Sequence, residues 1–176
     1  LSQFALHQLN NSVGTLFKNN IVYSGKYISV GNGSQTGSQY DHNNYYGGSG
    51  NYFNWAGVNY SVFSDWKTNS SQDSNSLNLD PKFTNASTDD FSLGLSSPVI
   101  DAGTNLGVTY ENAILPGSVW PDAVTISSQN LFGSSWEIGT YIYLVPLAPT
   151  INIPTVLSTS SIRWNFTDNA SDETGF

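Results

Sequence analysis

The chain is cut into short apolar runs by clusters of turn-forming residues. The runs lie at 14–17, 21–23, 27–30, 52–55 and 58–61. Between them stand Asn19-Asn20, Ser24-Gly25, Gly31-Asn32-Gly33 and Gly47-Gly48-Ser49-Gly50. Each run has the length of a strand, and each cluster supplies residues that tolerate left-handed backbone or bond their own main chain. Ser, Asn, Gly and Thr make up 76 of 176 residues, while charged residues are only 10%. Glu and Lys, which favour helices, are scarce. The expected fold class is therefore all-β.

Two segments share a shape: 17–23 and 40–46 both set an Asn pair before an apolar or aromatic pair, and the pairs are 24 residues apart. Such a period points to stacked coils, in which an Asn at each bend takes left-handed geometry and bonds its copy on the next coil. Two unrelated Asn-rich turns are the alternative. Helical signals are local. Ser61 is placed to cap a helix over 62–67, with Asp65 in its first turns and Val62, Phe63 and Trp66 on one face. A second short turn is expected at 97–100, with Pro98 at its first helical position.

The aromatic content of 14% argues against a disordered chain. There is no Cys, which excludes disulfide scaffolds, thiolate metal sites and cysteine nucleophiles. Net charge is −8 with five Lys and Arg in all, so neither a phosphate backbone nor an anionic membrane surface is an expected partner. No apolar run reaches the ~18 residues of a membrane span. The sequence lacks Met and shows no signal-peptide pattern, so it is expected to be an internal piece of a longer protein. Its polar, aromatic, cysteine-free composition suits a secreted protein. A Pro-spaced stretch at 146–150 is read as a linker. Residues 1–145 are expected to form one unit and 151–176 the start of another, where Ile162, Trp164 and Phe166 alternate with polar residues as in a half-buried strand.

Five motifs in order carry a resemblance. They are YDHNNYYGG (40–48), FNWAGVNYSVFSDWK (53–67), QDSNSLNLDPKF (72–83), DDFSLGLSSPVIDAG (89–103) and WEIGTYIY (136–143). Together they resemble the C-terminal end of bacterial right-handed parallel β-helix, pectate-lyase-like proteins. The resemblance implies the last coils and cap of such a helix, with one or two short helices. Trp66 is then expected to be buried, with Phe63 and Phe83 near it. Residues 108–135 interrupt the family pattern and are expected to be a surface excursion. The segment SSIRWNFTDNASDETGF (160–176) resembles the first strands of a fibronectin type III module, which implies an incomplete sandwich with Trp164 as its buried Trp.

Proteins of the first family act on polysaccharides. The resemblance thus implies an extracellular or cell-surface protein with polysaccharide or cell-surface glycan as partner. Three functions stay open: a structural cap, part of a lyase or hydrolase whose active site lies on upstream coils, or a glycan-binding adhesin. A monomer is expected. No catalytic residue is assigned. Lys18, Lys26, Lys67, Lys82 and Arg163 are dispersed, while Asp73, Asp80, Asp89, Asp90 and Asp101 cluster between 73 and 101, where a glycosidase pair is set against a reading as turn and solvated residues. No cofactor is assigned either. Asp73, Asp80 and Asp101 are candidate ligands of a hard cation such as Ca2+, set against a reading as turn residues. His42 beside Asp41 is read as a bend residue. Trp55, Trp66 and Trp136 are expected to pack, which leaves Trp120 as the candidate for stacking on a sugar.

Overall fold

The computed structural model describes residues 4–32, 35–48, 52–119, 121–145 and 150–167. It divides into two compact units, Leu1–Tyr143 and Leu144–Phe176. The described residues are mostly strands with one α-helix. Among the described residues no helix is long and apolar enough to cross a membrane.

The first strands are β1 (Phe4–Gln8), β2 (Leu16–Lys18), β3 (Ile21–Val30), β4 (Gln39–Asp41), β5 (Asn44–Gly48) and β6 (Phe53–Trp55). They pair in parallel, segment upon segment. Phe4 lies opposite Lys26 and Leu6 opposite Ile28, while Ile28 in turn faces Phe53. Leu16 is opposite Gln39. Ile21 is opposite Asn44. Rungs therefore recur about every 22 to 25 residues along the chain. At the bend the interval is 23 rather than the 24 expected from the Asn pairs. Asn20 matches Asn43, and Asn19 matches His42. The left-handed positions fall at Asn19 (φ 56°) and His42 (φ 52°), one residue before each stacked Asn.

β3 bends at Ser24 (φ 70°) and Gly25 (φ 80°). Its first half pairs with β5, and its second half lies between β1 and β6. The run Tyr27–Val30 is buried on both faces, as parallel strands require when they are covered on each side. Val22, Tyr27, Ile28, Val30, Tyr40, Tyr45, Phe53 and Trp66 form one core, in which each large side chain contributes ~1.5–3 kcal/mol by leaving water.

An antiparallel strand, β7 (Val58–Tyr60), follows β6 and leads into α1 (Phe63–Ser70). Ser61 does not cap this helix. Val62 occupies the N-cap in extended geometry with no side-chain bond, and the helix runs three residues beyond the expected end. It stops where Ser71 turns left-handed (φ 57°) and donates its N–H to the Lys67 carbonyl. Eight residues are too few to be stable alone. Trp66 anchors them: it is fully buried and stacks on Phe53 at 4.8 Å, with Tyr40 and Trp55 edge-on to it. Phe63 stacks on Phe53 at 5.8 Å. Phe83 is not part of this group. It packs against a second core of Leu93, Val99 and Ile138, because the chain crosses to β8 (Phe83–Asn85) beyond the bend.

β8 forms an antiparallel hairpin with β9 (Asp90–Leu93). At 97–100 there is a single turn and no helix, closed by a bond from the Ile100 N–H to the Ser97 carbonyl. In the 108–135 segment β10 (Asn112–Ile114) pairs antiparallel with β11 (Ile126–Ser128). This segment is only partly an excursion. Val108 and Leu131 are exposed, but Ala113 and Gln129 are buried, and Ile114 bridges to Tyr141. The closing stretch 136–143 threads back through the unit, burying Trp136, Glu137, Ile138 and Ile142.

The second unit contains β12 (Thr150–Ile151), β13 (Thr155–Ser158), β14 (Ser161–Arg163) and β15 (Phe166–Thr167). β12 pairs with β15, and β13 with β14, both antiparallel. Trp164 is not buried: it is 58% exposed, and Ile162 and Phe166 are exposed as well. Two two-stranded ladders offer no opposing sheet to cover them. The expected linker lies outside the described residues except for Thr150.

Candidate functional site

The first unit carries a cleft of about 1130 Å³. Its floor is set by the Asn19–Asn20 bend. The Asn19 side chain donates to the Thr104 carbonyl at 2.7 Å and accepts the Thr104 N–H at 2.9 Å. The Asn19 carbonyl accepts the Gly139 N–H at 2.9 Å. One left-handed Asn thus fixes two distant parts of the chain. Gly139 has φ +113°, a backbone that L side chains rarely adopt, which favours glycine there.

One wall is aromatic. Tyr23, 46% exposed, sits edge-on to Phe83 at 5.4 Å, and Phe83 sits edge-on to Phe91 at 5.2 Å. Tyr46 continues the row, 6.0 Å from Tyr23. Strand alternation turns Tyr23 away from its buried neighbour Val22, whereas Phe91, two residues before the buried Leu93, is exposed in the part of the β8–β9 hairpin where the register shifts. Half-buried Tyr141 also lines the cleft, together with Ile114, Ser118 and Val119. The acids are Asp89, exposed and left-handed (φ 60°), and Asp90, whose Oδ1 accepts the Ser92 N–H at 3.0 Å and the Ser92 hydroxyl at 2.6 Å. The lining holds these two carboxylates and, among the described residues, no Lys, Arg or His.

The three candidate cation ligands lie elsewhere and serve different bends. Asp73 is 1% exposed and is the hub of the first core. Its carboxylate accepts the Trp66 Nε1–H at 2.8 Å, the Tyr45 hydroxyl at 3.1 Å, the Asn43 amide at 3.1 Å and the Ser76 hydroxyl at 2.5 Å. Burial pushes its carboxyl above the ordinary range, and those hydrogen bonds offset only part of the rise. Asp80 is exposed and accepts the Lys82 N–H in the Asp-Pro-Lys turn. Asp101 accepts the N–H groups of Ser134 and Ser135 at 2.8 and 3.0 Å, and these bonds hold its carboxyl below the usual range. Among the described residues no three His, Cys, Asp or Glu are grouped to hold a metal. Trp120 falls outside the described residues.

His42 is at the left-handed bend, with Nδ1 3.2 Å from Asp41 Oδ2. The cations are spread out. Lys26 lies over Phe4, Lys67 donates to the Ser74 carbonyl, and Lys82 donates to the Ser96 hydroxyl. Sequence reading missed the cleft residues Tyr23 and Phe91; alternation gives no signal for Phe91, which stands two residues from the buried Leu93 and is exposed where the hairpin register shifts. It also missed Glu137, 1% exposed. Its Oε1 accepts the Tyr143 N–H at 3.0 Å, while Oε2 is buried with no partner among the described residues. Compared with known proteins, the chain matches no family model, no curated protein and no solved structure.

Proposed function

We propose that residues 4–143 are terminal coils and cap of a right-handed parallel β-helix in a secreted or cell-surface protein, and that this part binds polysaccharide. The observation that carries the functional reading is the cleft, where exposed aromatic rings stand beside carboxylates. Rings of this kind offer apolar faces with little conformational entropy to lose, and carboxylates accept strong bonds from hydroxyls. The solenoid reading is supported by the parallel ladders and by the open ends of the stack. β1 and β2 are edge strands, and Leu9, Val13 and Leu16 beside them are 67–69% exposed. A preceding coil would cover them. At the other end α1 and β7 cover β6, as a cap does for a repeat array.

The second unit is read as the opening strands of a fibronectin type III-like sandwich, supported by its antiparallel ladders and uncovered apolar side chains. The cleft carboxylates are assigned as hydrogen-bond acceptors and not as a catalytic pair. Affinity electrophoresis of the chain through gels containing single polysaccharides tests the reading. Retardation by at least one of a broad panel is expected. Unchanged mobility in all of them would overturn it.

A further inference from the structure

We infer that the cleft formed by the Asn19–Asn20 bend, the β8–β9 hairpin and residues 139–141 takes an uncharged glycan and rejects acidic polysaccharide. This rests on the carbohydrate reading above and names the sugar class.

Three features of the cleft lead there. The first is its wall. Tyr23 and Phe91 are 46% and 38% exposed, and Phe83 lies between them, edge-on to both. Hexose rings have one apolar C–H face that suits such a wall, whichever sugar is bound. The second is charge. Asp89 and Asp90 supply two negative charges, and no Lys, Arg or His among the lining residues offsets them. A uronate carboxylate placed against this wall meets like charge in a partly desolvated site. A neutral hexose meets the same carboxylates through its hydroxyls, as charge-assisted donors. The third is size. A volume of about 1130 Å³ exceeds the ~300–1,000 Å³ typical of small-ligand pockets. The cleft therefore seats several linked sugars. Its shape is held by the Asn19–Thr104 pair and by Gly139, so the site is largely built before a ligand arrives.

The test is calorimetric titration of the 176-residue chain at 0.15 M salt with three hexasaccharide sets: neutral gluco-, manno- and galacto-oligomers, galacturonate oligomers, and chitosan oligomers. The variants are Phe91→Ala, Tyr23→Ala and, as a control away from the cleft, Leu95→Ala, an exposed side chain outside the lining. At least one neutral oligomer is expected to bind. Phe91→Ala and Tyr23→Ala should each weaken it tenfold or more, and Leu95→Ala by less than twofold. Phe91→Tyr, which keeps the ring, should bind within threefold of the parent. Melting curves of each variant separate lost binding from lost folding. Binding of galacturonate in preference to every neutral oligomer would overturn the charge argument and leave the polysaccharide reading standing. Neutral binding unaffected by folded Phe91→Ala and Tyr23→Ala would overturn the cleft. Binding of chitosan alone, abolished at 0.5 M salt, would reduce the cleft to a charge patch and overturn the inference. No binding of any oligomer, together with unchanged mobility in every polysaccharide gel, would overturn both.

Discussion

Asp73 shows how much one side chain can determine. Four donors from three separate stretches of chain converge on it: Asn43 and Tyr45 from the bend and β5, Trp66 from α1, and Ser76 from the following turn. Without an acceptor, each buried donor costs ~1–3 kcal/mol. Asp73→Asn keeps the shape but turns an amide NH2 toward donors. It should destabilise the chain by about 2–4 kcal/mol in urea unfolding at pH 7; a loss below ~1 kcal/mol would show that the network is not cooperative.

Glu137 makes the opposite case. Burial raises its carboxyl above the ordinary range; the Tyr143 N–H offsets part of this, and the charge of Asp101 adds to it. A carboxyl raised on folding gives its full contribution below its unfolded value near pH ~4.3 and loses it as pH climbs through the folded value. Glu137→Gln removes a charge that folding disfavours. The variant should gain stability relative to the parent as pH rises from 4 to 7, measured by paired melting curves. A gain that is flat with pH would mean that Glu137 titrates alike in both states. The sequence gives no hint of either role. Asp73 reads as a turn residue until the fold brings Trp66 and Tyr45 onto it, and Glu137 stands in a motif whose other members are plainly apolar.

Among the elements, the clearest constraint is the crossing of residue 103 with the 136–138 stretch. Gly103 donates its N–H to the Trp136 carbonyl at 2.7 Å. A Cβ at 103 would overlap the Glu137 carbonyl oxygen and lie 2.9 Å from that of Trp136. Backbone cannot step aside as a side-chain tip can. Gly103→Ala should therefore cost ~1–3 kcal/mol, the usual range for overpacking, as read from urea midpoints. Legibility varied with how local each determinant is. The strands were legible because β-branched and aromatic runs between Gly and Asn clusters need no distant partner. The bend period was misread by one, because an Asn pair looks alike whichever member stacks, and only the ladder assigns Asn20 to Asn43. α1 was legible through Trp66, but its start was not, since Ser61 could cap only if the backbone there turned toward it. The cleft was the least legible part: its wall brings together β3 and the β8–β9 hairpin, which are far apart in sequence.

At the scale of the first unit, everything rests on successive segments lying parallel and in register. Asn43 ties the stack together. Its Oδ1 accepts from the Asn20 amide on the preceding segment, and its Nδ2 donates to Phe17 there and to Asp73 on the following one. The cleft inherits its geometry from this stack, because the Asn19–Asn20 bend is one of its rungs. Disulfide trapping measures the register directly, since the natural chain has no Cys. Leu16 and Gln39 are opposite one another and both exposed, whereas Leu16 and Asp41 are two residues out of register on the same face. Directly opposed strand positions lie ~4.8 Å apart and can be bridged, but diagonal ones at ~7–8 Å are at or beyond disulfide reach. Under mild oxidation of the folded protein, Leu16→Cys/Gln39→Cys should form an intramolecular disulfide readily, and Leu16→Cys/Asp41→Cys should stay reduced, as read by mass spectrometry. Preferential closure of the 16–41 pair, or no closure of the 16–39 pair in a protein that still melts cooperatively, would contradict the stacked parallel architecture and the cleft built on it.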